Sequence, residues 1–161
     1  MGLESSCDET SVSIVEKYGK KFNVLSNVVK SQIDIHKVYG GVVPELAARA
    51  HSDIIDVLIK KSLSEANIKI NKIDAIAATA GPGLLGGLLV GLIAGKTLAS
   101  ICEKPFIAIN HLEGHALSIK LEREIDYPYL LLLVSGGHTE FTIVNKFNSY
   151  KRIGTTIDDA L

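Results

Sequence analysis

Two histidines four positions apart, His111 and His115, follow directly on an apolar segment at residues 106–109. The pattern predicts a strand that passes into an amphipathic helix, where an i, i+4 pair places both imidazoles on one face, about 6 Å apart at Cβ. Imidazole nitrogens bind divalent transition metals at about 2.0–2.1 Å, so one ion can reach both rings. Two solvated histidines on a helix surface fit the same spacing, and the spacing alone leaves both interpretations open.

A zinc-peptidase motif is incomplete at this pair. The HExxH motif requires a glutamate directly after the first histidine, where this chain has Leu112. The inverted HxxEH motif requires one directly before the second histidine, where the chain has Gly114. Glu113 lies two positions from each histidine, which places it on roughly the opposite face of a helix. The pair can therefore bind a metal but lacks the general base of either peptidase class.

Two polar turns carry further candidate residues. Consecutive glycines in the segment Ser135, Gly136 and Gly137 let backbone N–H groups approach an anion, although an ordinary glycine turn has the same composition. The turn at residues 5–10 contains Asp8 and Glu9, whose carboxylates suit proton transfer or metal binding. A solvated turn explains these two carboxylates equally well.

A glycine-rich run at residues 81–86 spells GxGxxG between a predicted strand and a predicted helix. A dinucleotide site also needs an acidic residue after the next strand, and that strand ends in Asn110 and His111. Pro82 removes one backbone donor from the loop. We interpret the run as close packing of a helix on a strand, with N–H groups at the helix start available to a ligand.

The hydrophobic pattern along the chain predicts the element order βββαβαβα, which is typical of a mixed α/β sheet with helices on its faces. Predicted strands cover residues 3–15 (interrupted by the polar turn), 22–31, 73–79 and 106–109. Predicted helices cover 44–66, 84–102 and 111–124. We expect the first helix to bury a stripe made of Leu46, Ala50, Ile54 and Leu58. The uncharged run 75–95 approaches the length of a membrane span, but its glycines favour strand, turn and helix.

The N-terminal pattern returns near the end of the chain. Offset by 129 positions, an apolar strand (129–134), a small polar turn and an alternating strand (140–146) repeat the first hairpin. Six positions match in kind: Ser6 with Ser135, Thr10 with Thr139, Ser13 with Thr142, Ile14 with Ile143, Val15 with Val144, and Lys17 with Lys146. Because such repeats mark duplicated units, we predict a first domain over 1–126 and the start of a second, truncated copy over 127–161.

Composition narrows the class of protein. The chain has 161 residues, 47% of them hydrophobic, and a formal net charge of −1, which excludes a global basic signature for nucleic acid. The local basic residues suited to an RNA backbone are Lys17, Lys20, Lys21, Lys30 and Lys37. Two cysteines, Cys7 and Cys102, without a CxxC motif indicate a reducing compartment, so we expect a cytoplasmic protein.

Six stretches in register resemble the tRNA threonylcarbamoyladenosine synthase family, formerly described as O-sialoglycoprotein endopeptidases. They are residues 4–10 (ESSCDET), 39–47 (YGGVVPELA), 79–84 (TAGPGL), 111–115 (HLEGH), 133–139 (LVSGGHT) and 157–160 (IDDA). Together they run through nearly the whole chain in the order found in the family, which is far more specific than any one motif.

The resemblance implies an actin-like, Hsp70-like (ribonuclease H-like) fold of two similar domains. It implies transfer of a threonylcarbamoyl group from threonylcarbamoyl-AMP to the exocyclic amine of the adenosine beside the anticodon, in tRNAs that read codons beginning with A. It further implies that His111 and His115 hold one divalent metal ion, iron or zinc. The adenylate site would be lined by Leu133, Val134, Ser135, Gly136 and Gly137. Our hypothesis for Asp8 and Glu9 is proton removal or substrate orientation.

The implied partners are tRNA, a smaller catalytically silent paralogue that pairs through the first domain, and an ATPase of the same modification complex, with no membrane involved. The helix beginning at Pro44 is the candidate surface for the paralogue. Family members are about twice as long, and their remaining metal carboxylate lies in the second domain, so we expect this chain alone to be inactive. Cys102 and Glu103 depart from the residues usual in the family.

Three other functions remain open at this point. A non-catalytic, partner-binding paralogue would bind neither metal nor adenylate. A metallopeptidase is what the older family description suggests. A sugar or acetate kinase of the same fold class would bind Mg-ATP without a metal at the histidines.

Overall fold

A computed structural model describes residues 1–19, 21–134 and 139–157. The chain divides into two compact units, Met1–Leu112 and Glu113–Leu161. The predicted element order is found over residues 1–118, with one additional short helix, and the mixed α/β class is confirmed. The last helix of that order begins in the first unit and continues into the second. The predicted domain boundary after residue 126 stays a prediction.

The first unit is built on a five-stranded sheet of order β3-β2-β1-β4-β5. β1, β2 and β3 form an antiparallel meander, and β4 and β5 continue the sheet parallel to β1. The carboxyl ends of β1, β4 and β5 therefore meet at one edge. The strand bounds are Gly2–Glu4 (β1), Glu9–Tyr18 (β2), Lys21–Ser31 (β3), Ile76–Gly81 (β4) and Phe106–Asn110 (β5).

The described residues form four α-helices, three of which begin close to the starts that the sequence predicts. Pro44 opens α2, where a missing N–H costs no helical hydrogen bond. The bounds are Ile33–His36 (α1), Pro44–Glu65 (α2), Leu85–Ile101 (α3) and His111–Ser118 (α4), with short 3₁₀ turns at Lys37–Tyr39, Ile70–Lys72 and Ile119–Leu121. No helix within the described ranges is both long and apolar enough to cross a membrane.

The histidine helix is shorter than predicted. It ends at Ser118 and tightens into the 3₁₀ turn, whereas the sequence pattern predicts helix to about residue 124. The Ser118 hydroxyl donates to the carbonyl of His115 at 2.8 Å, which takes up an acceptor that a further α-turn would use.

The buried face of α2 differs from the predicted stripe by about one position. Leu46, Ala50 and Ile54 are only half-buried, while Leu58 is buried as expected. The residues that face the core are Ala47, His51, Ile55, Leu58 and Ser62. The apolar pattern of the sequence does not reveal this face, because two of its residues, His51 and Ser62, are polar. Both have buried hydrogen-bond partners: His51 lies 2.7 Å from the Thr10 hydroxyl, and Ser62 lies 2.7 Å from the Ser26 hydroxyl.

The second unit contains a three-stranded antiparallel sheet of order β6-β7-β8. Its strands are Tyr129–Val134 (β6), Thr139–Lys146 (β7) and Ser149–Thr155 (β8), of which β8 is absent from the sequence prediction. The β6–β7 hairpin repeats the antiparallel pairing of β1 and β2, as the 129-residue offset predicts, and β8 extends the likeness to β3 beyond that prediction.

Candidate active site at the carboxyl edge of the first sheet

The carboxyl ends of β1, β4 and β5 bring together Glu4, Thr79 and His111. The Thr79 hydroxyl donates to Glu4 Oε2 at 2.5 Å, and Glu4 Oε2 lies 3.2 Å from His111 Nδ1. The backbone N–H of Ser6 donates to the other carboxylate oxygen at 2.5 Å. Ligands of α/β sheets bind in crevices outside the carboxyl ends of strands, so this edge is the expected place for a site.

The contact between Glu4 and His111 determines which imidazole nitrogen can bind a metal. An ionised carboxylate only accepts hydrogen bonds, so a neutral His111 carries its proton on Nδ1 and its lone pair on Nε2. Metal-binding histidines are commonly oriented by a carboxylate in this way. Burial raises the pKa of Glu4, but hydrogen bonds from His111, Ser6 and Thr79 outweigh it and lower the pKa to about 2. Glu4 is therefore ionised at neutral pH.

Glu4 is a candidate site residue that the sequence analysis missed. It lies inside the ESSCDET stretch, where the two later carboxylates attract attention because they stand in the turn itself. The sequence feature that could have revealed Glu4 is its position: it is a carboxylate at the last residue of a strand, and the residues next to it are apolar or small.

His111 and His115 both lie in α4, four positions apart, as the sequence predicts. His111 is partly buried and His115 is exposed. Within the described ranges, no three His, Cys, Asp or Glu side chains are grouped as metal ligands. Imidazole nitrogens suit a transition-metal ion. Because His111 lies in the first unit and His115 in the second, joint binding of one ion by the two rings stays a prediction.

Asp8 and Glu9, the predicted catalytic carboxylates, lie at the turn from β1 into β2. Asp8 is half-buried and Glu9 is exposed. The Asp8 carbonyl accepts the backbone N–H of Gln32 at 2.9 Å, and the Cys7 carbonyl lies 3.1 Å from His51 Nε2. Desolvation raises the pKa of the Cys7 thiol, and the hydrogen bond and charge of Asp8 add to that effect.

The glycine-rich run packs against this turn, which confirms the packing interpretation. A Cβ on Gly87 would lie 2.5 Å from the Ser5 carbonyl oxygen. The Leu84 N–H donates to the Ser6 carbonyl at 2.8 Å, and the Gly91 N–H donates to the Ser5 hydroxyl at 2.9 Å. The N–H of Leu84, the residue before α3, is therefore engaged by the turn. The availability of the next N–H groups, in the first turn of α3, stays a prediction.

The predicted adenylate segment is only partly described. Leu133 is buried and Val134 exposed at the end of β6. Ser135, Gly136 and Gly137 lie outside the described residues, as does most of the IDDA stretch. The buried hydroxyl of Thr139, where the chain is described again, has no hydrogen-bond partner among the described residues.

The predicted basic cluster is not one patch. Lys17 and Lys21 are exposed near the turn between β2 and β3, whereas Lys30 and Lys37 are exposed at and beyond the far end of β3. Lys21 and Lys30 are nine positions apart along the strand, a span of about 30 Å. Lys20 lies outside the described residues.

Comparison with known proteins identifies relatives of the whole chain. The family model described as tRNA N6-adenosine threonylcarbamoyltransferase matches residues 23–161. Proteins of that name from Pelagibacter ubique and Brucella anthropi are 58% and 56% identical to the chain over 162 aligned positions, covering all of it and 45% of each relative. The chain thus spans about half the length of the curated relatives it matches.

Solved structures show the fold. YeaZ from Pseudomonas aeruginosa aligns with a TM-score of 0.62 at 17% identity, covering 98% of this chain and 65% of that one. A PPX-GPPA enzyme from Aquifex aeolicus aligns with a TM-score of 0.50 at 12% identity, covering 96% of this chain and 50% of that one. The actin-like α/β fold class is confirmed. Because the family model covers most of its length, the chain belongs to the tRNA N6-adenosine threonylcarbamoyltransferase family.

Proposed function

We propose that this chain carries part of an enzyme that transfers the threonylcarbamoyl group from threonylcarbamoyl-AMP to N6 of the adenosine beside the anticodon, in tRNAs reading codons that begin with A. Family membership supports the reaction. The observation that carries the assignment of a site is the contact of Glu4 with His111 at the carboxyl edge of the sheet.

The chemistry explains which groups are needed. The N6 lone pair is delocalised into the adenine ring, so the donor must be oriented and its carbonyl polarised. A bond forms from N6 to the carbamoyl carbon, the bond from that carbon to the AMP phosphate oxygen breaks, and N6 loses a proton. Asp8 or Glu9 receives this proton or orients the substrate. The segment from Leu133 to residue 137 binds the adenylate, with N–H groups of Gly136 and Gly137 donating to the carbonyl oxygen.

His111 and His115 would hold one divalent metal ion, iron or zinc, with Glu4 holding the ring of His111. When bound, this ion supplies Lewis acidity toward the donor carbonyl. The buried hydroxyl of Thr139, which has no hydrogen-bond partner among the described residues, lies beside the predicted adenylate segment in the sequence and supports a polar ligand there.

Partners and location follow from the same assignment. We expect tRNA, a smaller silent paralogue that contacts α2, and an ATPase of the modification complex as partners, in the cytoplasm. We also propose that the first domain covers 1–126 and that 127–161 opens the second. A metallopeptidase is disfavoured because Glu113, the carboxylate nearest the histidines in sequence, accepts a hydrogen bond from the Tyr150 hydroxyl at 2.7 Å. A silent scaffold does not require the carboxylate-oriented histidine.

The test is a transfer assay on the full-length protein with its partner proteins, tRNA and threonylcarbamoyl-AMP. Mass spectrometry of digested nucleosides should detect threonylcarbamoyladenosine. The double variant His111→Ala, His115→Ala should lose both metal and product while retaining its circular dichroism spectrum, and Glu113→Gln should retain both. Unchanged metal content in the double variant would refute the metal assignment. Phosphorylation of a small acceptor by Mg-ATP, without modified tRNA, would indicate the kinase alternative.

A further inference from the structure

A continuous row of hydrogen bonds crosses the interior of the first unit. The Val43 backbone N–H donates to His36 Nδ1 at 3.3 Å, and His36 Nε2 lies 3.1 Å from Gln32 Oε1. Gln32 Nε2 lies 3.1 Å from His51 Nδ1, which also receives the Thr10 hydroxyl at 2.7 Å, and His51 Nε2 lies 3.1 Å from the Cys7 carbonyl oxygen. We call the four bonds from Val43 to Cys7 the relay. It joins the residue before α2 to the turn that contains Asp8 and Glu9.

Its two ends impose one direction on the relay. A backbone N–H can only donate and a backbone carbonyl can only accept, so each bond between them must run the same way. His36 and His51 are therefore both neutral with the proton on Nε2, and the Gln32 amide has one orientation. The three side chains are 4%, 0% and 2% exposed, respectively, which leaves little room for water to replace a lost bond.

The relay ends on the peptide planes that flank Asp8. His51 donates to the carbonyl of the Cys7–Asp8 peptide, and the backbone N–H of Gln32 donates to the carbonyl of the Asp8–Glu9 peptide at 2.9 Å. With both planes held, the backbone angles of Asp8 are held as well. The direction of its Cα–Cβ bond then depends on Gln32 and His51.

We propose that Gln32, His36 and His51 are positioning residues: their relay holds the Cys7–Asp8 peptide plane, the Gln32 backbone N–H holds the Asp8–Glu9 plane, and together they set the direction of the Asp8 side chain. The importance of the Asp8 orientation for threonylcarbamoyl transfer rests on the proposed function, whereas the existence of the relay does not. A purely structural role for His51 would stabilise the unit without controlling the turn, and the experiments below separate the two.

Histidine tautomers provide the first test. Long-range ¹H–¹⁵N correlation spectra of the 161-residue chain at pH 7 should show His36 and His51 as neutral rings protonated on Nε2. A proton on Nδ1 of either ring, or a charged His51, would overturn the relay. Assignment uses His36→Gln and His51→Gln, which each remove one set of signals.

The second test uses two amides of different length at position 51. In His51→Gln the side-chain amide can still donate near the Nε2 position, whereas the shorter His51→Asn retains a polar group only near Nδ1. Ser62→Ala is the matched control, since it removes a buried hydrogen bond of the same helix that does not touch the turn. The readout is the rate at which a disulfide reagent modifies Cys7, in a Cys102→Ser background.

Asp8 helps to raise the pKa of the Cys7 thiol. If the turn is no longer held, Asp8 moves away from this thiol, so Cys7 should react faster. We expect a severalfold higher rate in His51→Asn and Gln32→Ala, with His51→Gln and Ser62→Ala close to the parent. Equal acceleration in Ser62→Ala, or no acceleration in either relay variant, would overturn the proposal. Urea denaturation of all four variants excludes global unfolding as the cause.

The third test links the relay to transfer in the full-length protein with its partners. Gln32→Ala should lower kcat while leaving KM for tRNA unchanged, with His51→Gln losing less than His51→Asn. If the parent protein transfers nothing, the proposed function fails, and the spectra and thiol rates still decide the relay. If Cys7 is modified faster in the relay variants but their kcat is unchanged, the relay does not serve the reaction, and its proposed role in transfer is refuted.

Discussion

At the residue scale, Glu4 illustrates how a carboxylate can matter without touching a substrate. It is ionised, since three donors outweigh the burial that raises its pKa, and it contacts the ring of His111. With its tautomer and orientation fixed, the ring presents one nitrogen lone pair to a metal. Less conformational entropy is then lost when the metal binds. Glu4 therefore belongs to the proposed metal site even though it is not a ligand.

The variant Glu4→Gln should weaken Zn²⁺ binding by about 10-fold to 100-fold, the usual effect of losing a carboxylate behind a metal-binding histidine. Titration calorimetry on the 161-residue chain measures this. Glu113→Gln serves as the control, because Glu113 lies between the two histidines in sequence but is hydrogen-bonded to Tyr150. Equal affinities of the two variants would contradict the role given to Glu4.

His51 should make stability depend on pH. Burial lowers its pKa, the nearby charges of Glu4 and Asp8 only partly oppose that effect, and His36 reinforces it. The unfolded chain then binds more protons than the folded one below about pH 6.5. The stability that comes from keeping His51 neutral is fully present above that pH and is lost as the pH falls. The free energy of unfolding then decreases by at most about 1.4 kcal/mol per pH unit for this one proton.

Urea denaturation from pH 7.5 to 5 compares the parent with His51→Gln. The parent should lose more free energy of unfolding than the variant over this range, because the variant has no ring to protonate. Parallel pH profiles would show that His51 keeps its ordinary pKa in the folded state.

At the element scale, α3 depends on glycine where it crosses the Ser5–Ser6 turn. A Cβ on Gly87 would meet the Ser5 carbonyl oxygen and, at 3.2 Å, the His51 ring. Backbone cannot move aside as a flexible side chain can, so Gly87→Ala should destabilise the protein by about 1–3 kcal/mol. Gly114→Ala is the control: its Cβ meets nothing within 4 Å in α4, and it should stabilise by about 0.4–1 kcal/mol. Thermal unfolding of both variants shows whether each substitution lowers or raises the stability of the protein.

At the scale of the whole molecule, a net charge of −1 means that the proposed binding of tRNA to this chain would depend on local cations. The exposed pair Lys17 and Lys21 is the best-defined group, since Lys30 and Lys37 are far along the strand. Lys17→Ala, Lys21→Ala should weaken binding and reduce the salt slope by about one unit per lost phosphate contact. The control pair Lys60→Ala, Lys61→Ala removes lysines that already face Asp56 and Glu65 on α2. Filter binding at several salt concentrations measures both; identical slopes would contradict the assignment.

Much of the architecture could be predicted because local signals agree with the final elements. Pro44 marks the start of α2, the glycines end β4 before α3, and the histidine pair opens a helix. The register of α2 could not be predicted from apolar residues, since His51 and Ser62 occupy its buried face through hydrogen bonds with residues far away in sequence. The end of α4 was also missed, because the hydroxyl of Ser118 competes for a backbone acceptor.

By itself, the sequence determined the types of most elements, the repeated hairpin, the spacing of His111 and His115, and the family motifs. These depend on short-range periodicity and on residue type. Only the tertiary structure decided that Glu4 contacts His111, 107 positions away, and that His51 reaches the carbonyl of Cys7. Such contacts depend on strand order and helix packing, and a parallel sheet brings distant strand ends together without leaving any local mark in the chain.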